Sequence, residues 1–357
     1  MPLATRDVVG ILADNLRIRG SVLPIPARQA TRWARDLDLP RGGETVLYTG
    51  LMYQLIPYIE RLVAIEQRLG NSPLARLAGL GRRLNRLVNG VAFVARPSAR
   101  ERAEYDRIPA NVARLLQQAG VPFGYLYEDD LYAGALTHDL GADDVVAVHA
   151  RRVVALLRKH GVREVITIDP HTTNMLRSVY PGLVDGFDIR VRSYLEVLAE
   201  RSAPNEAPLS GKVVIHDPCV YARYENVIEA PRKLLAAAGL EVGEPQSAGL
   251  LTWCCGGPVE ALFPAKAAAV ATSRVAQLRE IAPDCVTMCP ICLVNLRKSA
   301  DGSMRFRDIS DYLVAASAPL PDRGRAGGRH DPDPGVLPPR APALPGFPTD
   351  RSPVAGP

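Results

Sequence analysis

The sequence predicts an α/β protein made of two similar halves, each a small parallel sheet flanked by helices. Three observations lead there. Short β-rich runs alternate with longer helical patterns, as expected of strands joined by helical crossovers. The segment IDPHTTNMLR at 168–177 is echoed 120 residues later by MCPICLVNLR at 288–297. Each copy follows a β-rich run and opens a helix, as two related halves would. The composition, 47% hydrophobic and 23% charged over 357 residues, suits a globular chain with a sizeable core.

In chain order, residues 1–40 read as an N-terminal helical extension. Asp and Arg interrupt its apolar run, which argues against a secretory signal and for a cytoplasmic chain. The first half, 41–205, has β-rich runs at Thr45–Tyr48, Phe123–Tyr127 and Val165–Ile168. A helix follows over Ala142–His160, with Val145, Val146, Val153, Leu156 and Leu157 as its apolar positions. An insertion at about 70–105 holds a basic amphipathic pattern over 73–95, with Leu74, Leu77, Leu84 and Leu87 against Arg76, Arg82, Arg83 and Arg86. It reads either as a packed helix with a solvated face or as a docking surface for a partner subunit or, peripherally, an anionic membrane. Gly79-x-Gly81 lacks a preceding strand and a third glycine, so it is no dinucleotide site.

A Pro- and Ser-containing stretch at 202–211 marks the boundary. The second half, 206–317, has β-rich runs at Lys212–His216 and Cys285–Met288. Its helices are expected over Val227–Ala238, Pro264–Ile281 and Pro290–Lys298. The Pro/Gly/Arg-rich tail at 318–357 has few periodic apolar residues and reads as disordered. No run approaches 18 apolar residues, so no membrane span is expected. A net charge of +5 with 6% aromatics is a weak footprint for nucleic acid, which is not expected as a partner.

All six cysteines lie after residue 218. A long chain that concentrates its thiols in one segment favours a metal or redox site over a disulfide framework. Cys219 is followed after 34 residues by Cys254-Cys255, and after a further 33 by Cys289-x-x-Cys292. Cys219 and Cys289 each follow a strand, where parallel α/β sheets build sites. Cys289 and Cys292 fall at a helix start, whose free amides and dipole favour thiolates. Gly256 and Gly257 let backbone approach a bound group closely. Five thiolates exceed both a tetrahedral zinc set and the four of an ordinary cubane. Cys285, inside a strand, reads as a buried apolar residue.

These segments resemble the cysteine-rich CCG domain of the heterodisulfide reductase family. HDPCVYARYENVIEAPRKLL, TWCCGGP and TMCPICL carry the likeness, which is specific in the second half and only topological in the first. The resemblance implies two α/β halves related by a pseudo-twofold. It also implies one noncubane [4Fe-4S] cluster per chain, with Cys219, Cys254, Cys255, Cys289 and Cys292 as ligands and Gly256 beside them. In the first half the matching ligand positions hold Leu51, Tyr132, Ala133, Asp169 and Thr172. Asp169 and His171 remain as two isolated candidate metal ligands, and this half reads as a retained scaffold. Around the expected cluster, His216 and Arg223 are candidate catalytic residues, with Asp217 beside His216 in a possible proton relay or as a strand-end brace. Arg223, Arg232 and Lys233 are candidates to hold an anion or tune the cluster, and Trp253 is a candidate shield against water.

The expected function is a redox subunit of a heterodisulfide-reductase-like complex, with a disulfide as a possible substrate. No CxxCxxC run precedes residue 219, so electrons are expected from a ferredoxin-type or flavoprotein partner subunit. Two alternatives stay open. One is an electron-transfer subunit of a flavin-dependent 2-hydroxy-acid or glycerol-3-phosphate oxidoreductase. The other is a structural zinc scaffold, colourless and redox-silent.

Overall fold

The computed structural model describes residues 5–69, 95–201, 207–257, 260 and 263–317. The basic pattern at 73–95 (save Ala95), the Gly79-x-Gly81 stretch, part of the 202–211 boundary and the 318–357 tail lie outside them.

Among the described residues, eight strands form two four-stranded sheets. The first contains β1 (Thr45–Tyr48), β2 (Gly124–Tyr125), β3 (Glu164–Thr167) and β4 (Arg190–Ser193), in the order β2-β1-β3-β4. The second contains β5 (Lys212–Ile215), β6 (Glu241–Gly243), β7 (Asp284–Thr287) and β8 (Arg305–Asp308), in the order β6-β5-β7-β8. Every pairing is parallel. The two sheets thus have the same topology, as the repeat predicts.

The longer helices and those that carry the site are α1 (Thr5–Arg19), α2 (Met52–Leu69), α3 (Ala99–Gln118), α4 (Asp143–Lys159), α5 (Pro170–Asn174), α6 (Tyr194–Arg201), α7 (Cys219–Arg223), α8 (Glu229–Ala237), α9 (Pro264–Arg279), α10 (Pro290–Ser299) and α11 (Ile309–Ala316). Local chemistry explains several boundaries. Ser98 and Glu101 form a reciprocal capping box at the start of α3. Pro170 and Pro290 open α5 and α10, where a missing amide costs no helical bond. The central strands TVLY, EVIT, KVVI and DCVT are β-branched and largely buried.

The sequence-expected strands and helices fall within a few residues of these elements, although the run expected at Phe123–Tyr127 pairs only through Gly124 and Tyr125. The edge strands β4, β6 and β8 were not anticipated.

One apolar core runs through both halves. It includes Trp33, Leu47, Tyr53 and Ile166 from the first, and Val214, Val286, Met288 and Leu293 from the second. Polar contacts cross the same seam. Tyr53 donates to Asp308 at 2.6 Å, Arg107 pairs with Asp311 at 2.6 Å, and Arg297 pairs with Glu104 at 2.5 Å. Among the described residues no helix is long and apolar enough to cross a membrane.

Candidate metal centre

Two strand ends and one loop bring the five motif cysteines together. β5 leads into His216-Asp217-Pro218, and Cys219 is the first residue of α7. β7 leads into Met288, and Cys289 sits immediately before α10, with Cys292 in its first turn. The loop bearing Cys254 and Cys255 is fixed by Asp217. Its carboxylate accepts from the Gly249 amide at 2.7 Å, and its carbonyl accepts from the Thr252 hydroxyl at 2.9 Å.

The sulfurs form a continuous chain, each within hydrogen-bonding reach of the next: Cys219, Cys254, Cys255, Cys292, Cys289. Cys255, Cys289 and Cys292 are buried, while Cys219 and Cys254 are partly exposed. Charge is unevenly shared. Hydrogen bonds from Cys219 and Cys255 hold the Cys254 thiol well below its ordinary range, helped by the Gly256 amide, which donates to Cys254 Sγ at 3.3 Å. Burial opposes ionisation of Cys289, but Cys292, the His171 imidazole and the Cys292 amide outweigh it and push that thiol well down. The Cys254 contact pushes Cys219 and Cys255 up, and the Cys255 contact does the same to Cys292.

His216 is buried beside these sulfurs, with a ring nitrogen within 4.8 Å of Cys255 and Cys292. Arg274, itself wholly buried, donates from Nε to His216 Nδ1 at 3.1 Å. An arginine cannot accept, so the neutral imidazole carries its proton on Nε2. Burial first, and the Arg274 charge second, lower the His216 pKa to about 3 and keep the ring neutral. Its Nε2–H has no partner among the described residues. A buried donor of this kind calls for an acceptor, which thiolates and sulfides of a bound group would supply. Five sulfurs in a row with an orphaned donor beside them fit a polynuclear iron–sulfur group better than a single tetrahedral ion.

Other expected roles change. Arg223 lies close to the site, but its guanidinium donates to the Leu250 and Thr252 carbonyls and braces the loop. Arg232 is bound bidentately by Asp217 at 2.9 and 2.8 Å and pairs with Glu244. Asp217 is accordingly a brace and no free relay. Lys233 is exposed. Trp253 is 49% exposed, so it borders the site without sealing it. Gly256 is required by protein packing as well as by the sulfur: its φ is +79°, and a Cβ there would lie 2.4 Å from the Ala267 carbonyl oxygen of α9. Cys285 is buried in β7.

The equivalent place in the first half is filled. Leu51, Tyr132, Ala133, Asp169 and Thr172 are all buried. Asp169 caps α5, accepting from the His171 and Thr172 amides at 2.9 and 3.0 Å. Arg274 was not legible as a partner of the centre, because its helix has no motif to place it there, and His171, expected only as an isolated candidate metal ligand of the first half, lies instead beside Cys289.

A family model described as a cysteine-rich domain, CCG, matches residues 213–297. Among curated proteins, the chain is 30% identical over 231 residues to an EtfAB:quinone oxidoreductase of Syntrophomonas wolfei, covering 59% of this chain and 32% of that protein. It is 29% identical over 201 residues to one subunit of the dihydromethanophenazine:CoB–CoM heterodisulfide reductase of Methanosarcina barkeri, covering 53% and 49%. It is 30% identical over 165 residues to one subunit of a CoM/CoB fumarate reductase of Methanothermobacter marburgensis, covering 44% and 33%. The chain thus spans a third to a half of the length of these relatives. Residues 213–297 are thus similar to the cysteine-rich CCG domain, and the chain is similar to oxidoreductase subunits that include those of the methanogen heterodisulfide reductases.

Proposed function

We propose that this chain is an iron–sulfur electron-transfer subunit, holding one noncubane [4Fe-4S] cluster through Cys219, Cys254, Cys255, Cys289 and Cys292. The unbroken chain of five sulfurs carries the reading. A bound cluster would accept and release single electrons. The chain's own residues bury three of the sulfurs, place a His216 ring nitrogen within 4.8 Å of Cys255 and Cys292, and leave Cys219 and Cys254 partly accessible. That accessible edge lies on the segments bearing the exposed side chains of Tyr224, Leu250, Leu251 and Trp253. Electrons are expected to cross there from a ferredoxin-type or flavoprotein partner, in a complex resembling the oxidoreductases above.

A second reading gives the centre a disulfide to reduce, since an accessible pair of sulfur ligands leaves room for sulfur chemistry. The filled first half favours the relay, because it supplies no second thiol set. Anaerobic purification with iron and sulfide counts and electron paramagnetic resonance tests both. About four irons per chain support the cluster, and a colourless protein with one zinc overturns it. Thiol release and a changed resonance on adding an oxidised dithiol would establish the disulfide reaction. An unchanged spectrum with no thiol released leaves the relay.

A further inference from the structure

We propose that His171, from the half that lacks cysteines, is a positioning residue of the centre, donating a hydrogen bond to the Cys289 sulfur and raising the potential of the group bound there. The inference rests on the cluster reading above.

Its basis is the way the two repeats interlock. His171 and Ile291 occupy matching places, each two residues after the helix N-cap residue, Asp169 or Cys289, and one after the helix-opening proline. Each reaches into the other half. Ile291 packs against an apolar cluster made of first-half residues. His171 lies against Cys289 of the second, within hydrogen-bonding reach. The side chain is 7% exposed, so solvent competes little for the contact. Its helix is held to the second half independently. Thr173 donates to the Tyr221 hydroxyl at 3.4 Å, and Asn174 donates to Glu225 at 2.8 Å. Tyr221 belongs to α7, the helix that begins with Cys219. The helix that bears His171 is therefore tied to the segment that begins with Cys219.

The physical consequence has a definite sign. Reduction adds negative charge to the cluster and its thiolates. A donor to a ligand sulfur stabilises that added charge more than it stabilises the oxidised form. Removing the donor must make reduction harder.

The test is a potentiometric titration of the full chain, followed by electron paramagnetic resonance, for the native protein, His171→Phe and His171→Gln. Iron and sulfide are counted in each. The expected result is unchanged iron, a more negative midpoint for H171F, and a midpoint near native for H171Q, which keeps an N–H donor. A native-like midpoint in H171F overturns the proposal. Equal shifts in both variants also overturn it, since the donor would then not be the cause. Loss of iron from either variant overturns it too, because His171 would then be a ligand or a packing residue. Native protein that carries no cluster at all defeats the underlying reading instead, which separates the two failures.

Discussion

Cys285 and Gly256 show how much a single side chain, or its absence, decides here. Both adjoin the centre, and their expected mutant behaviour is opposite. Cys285 is buried in β7, and its thiol donates to the Val286 carbonyl at 3.7 Å. Cys285→Ala should keep the full iron content while losing about 1 kcal/mol of stability through a small cavity. Cys255→Ala or Cys292→Ala should lose most of the bound iron. An iron count on the three purified variants separates them, and equal losses would make Cys285 a sixth ligand. Gly256→Ala faces both a left-handed φ and a backbone carbonyl 2.4 Å from the new Cβ. It should cost roughly 2 kcal/mol or more, and displace the Cys254 loop. Denaturant unfolding measures the first effect. The rate at which a chelator strips iron measures the second.

At the scale of elements, strand ends do the positioning, and one of them makes stability depend on pH. Asp130 accepts from the Thr49 hydroxyl at 2.6 Å and from the Thr49 and Gly50 amides, tying down the end of β1. Burial pushes its pKa up to about 7 despite these hydrogen bonds. An unfolded aspartate titrates near 4. Between about pH 4 and 7 the folded chain thus holds a proton that the unfolded chain has released. The contribution to stability is full below that window and is lost as the pH rises through it. Asp130→Asn should flatten the decline by at most roughly 1.4 kcal/mol per pH unit. Urea midpoints taken across pH 4.5 to 6.5 check this, and an unaltered slope would assign the decline elsewhere. Asp169 and Asp308, each pushed up to about 6 by burial, act in the same direction and remain in the variant.

The same scale explains what could be read from sequence. The central strands are continuous apolar runs and were legible. The edge strands RVRS and RFRD expose alternate arginines and bury only every second residue, so neither stands out as a β-rich run. The cysteine spacing announced the centre because thiols are chemically distinctive and sit in three recurring segments. Arg274 carries no such mark, and His171 stood out only as an isolated candidate metal ligand of the first half. Their role comes from packing of α9 and α5 against the site, which only tertiary structure shows.

On the scale of the whole molecule, the shared core makes the cysteine-bearing half dependent on the half without cysteines. Trp33 lies in the first half, packed edge-on against Tyr125 at 4.8 Å, in the same apolar cluster as Val213, Cys289 and Phe306. The chain has two tryptophans, so Trp253→Phe leaves Trp33 as a single reporter of the first half. The visible absorbance of the bound cluster reports the second. If the core is continuous, both signals should be lost in one coincident thermal transition. Tyr53→Phe supplies the causal arm. It removes the donor that Asp308 accepts from at 2.6 Å, leaving a buried carboxyl oxygen without its partner across the seam. That should cost roughly 1–3 kcal/mol and lower both transitions together, although Tyr53 and Asp308 are not motif residues. Two separated transitions, or a shift confined to the Trp33 signal, would mean that the second half holds its centre unaided. Coincident shifts would mean that the half without cysteines holds up the centre built against it.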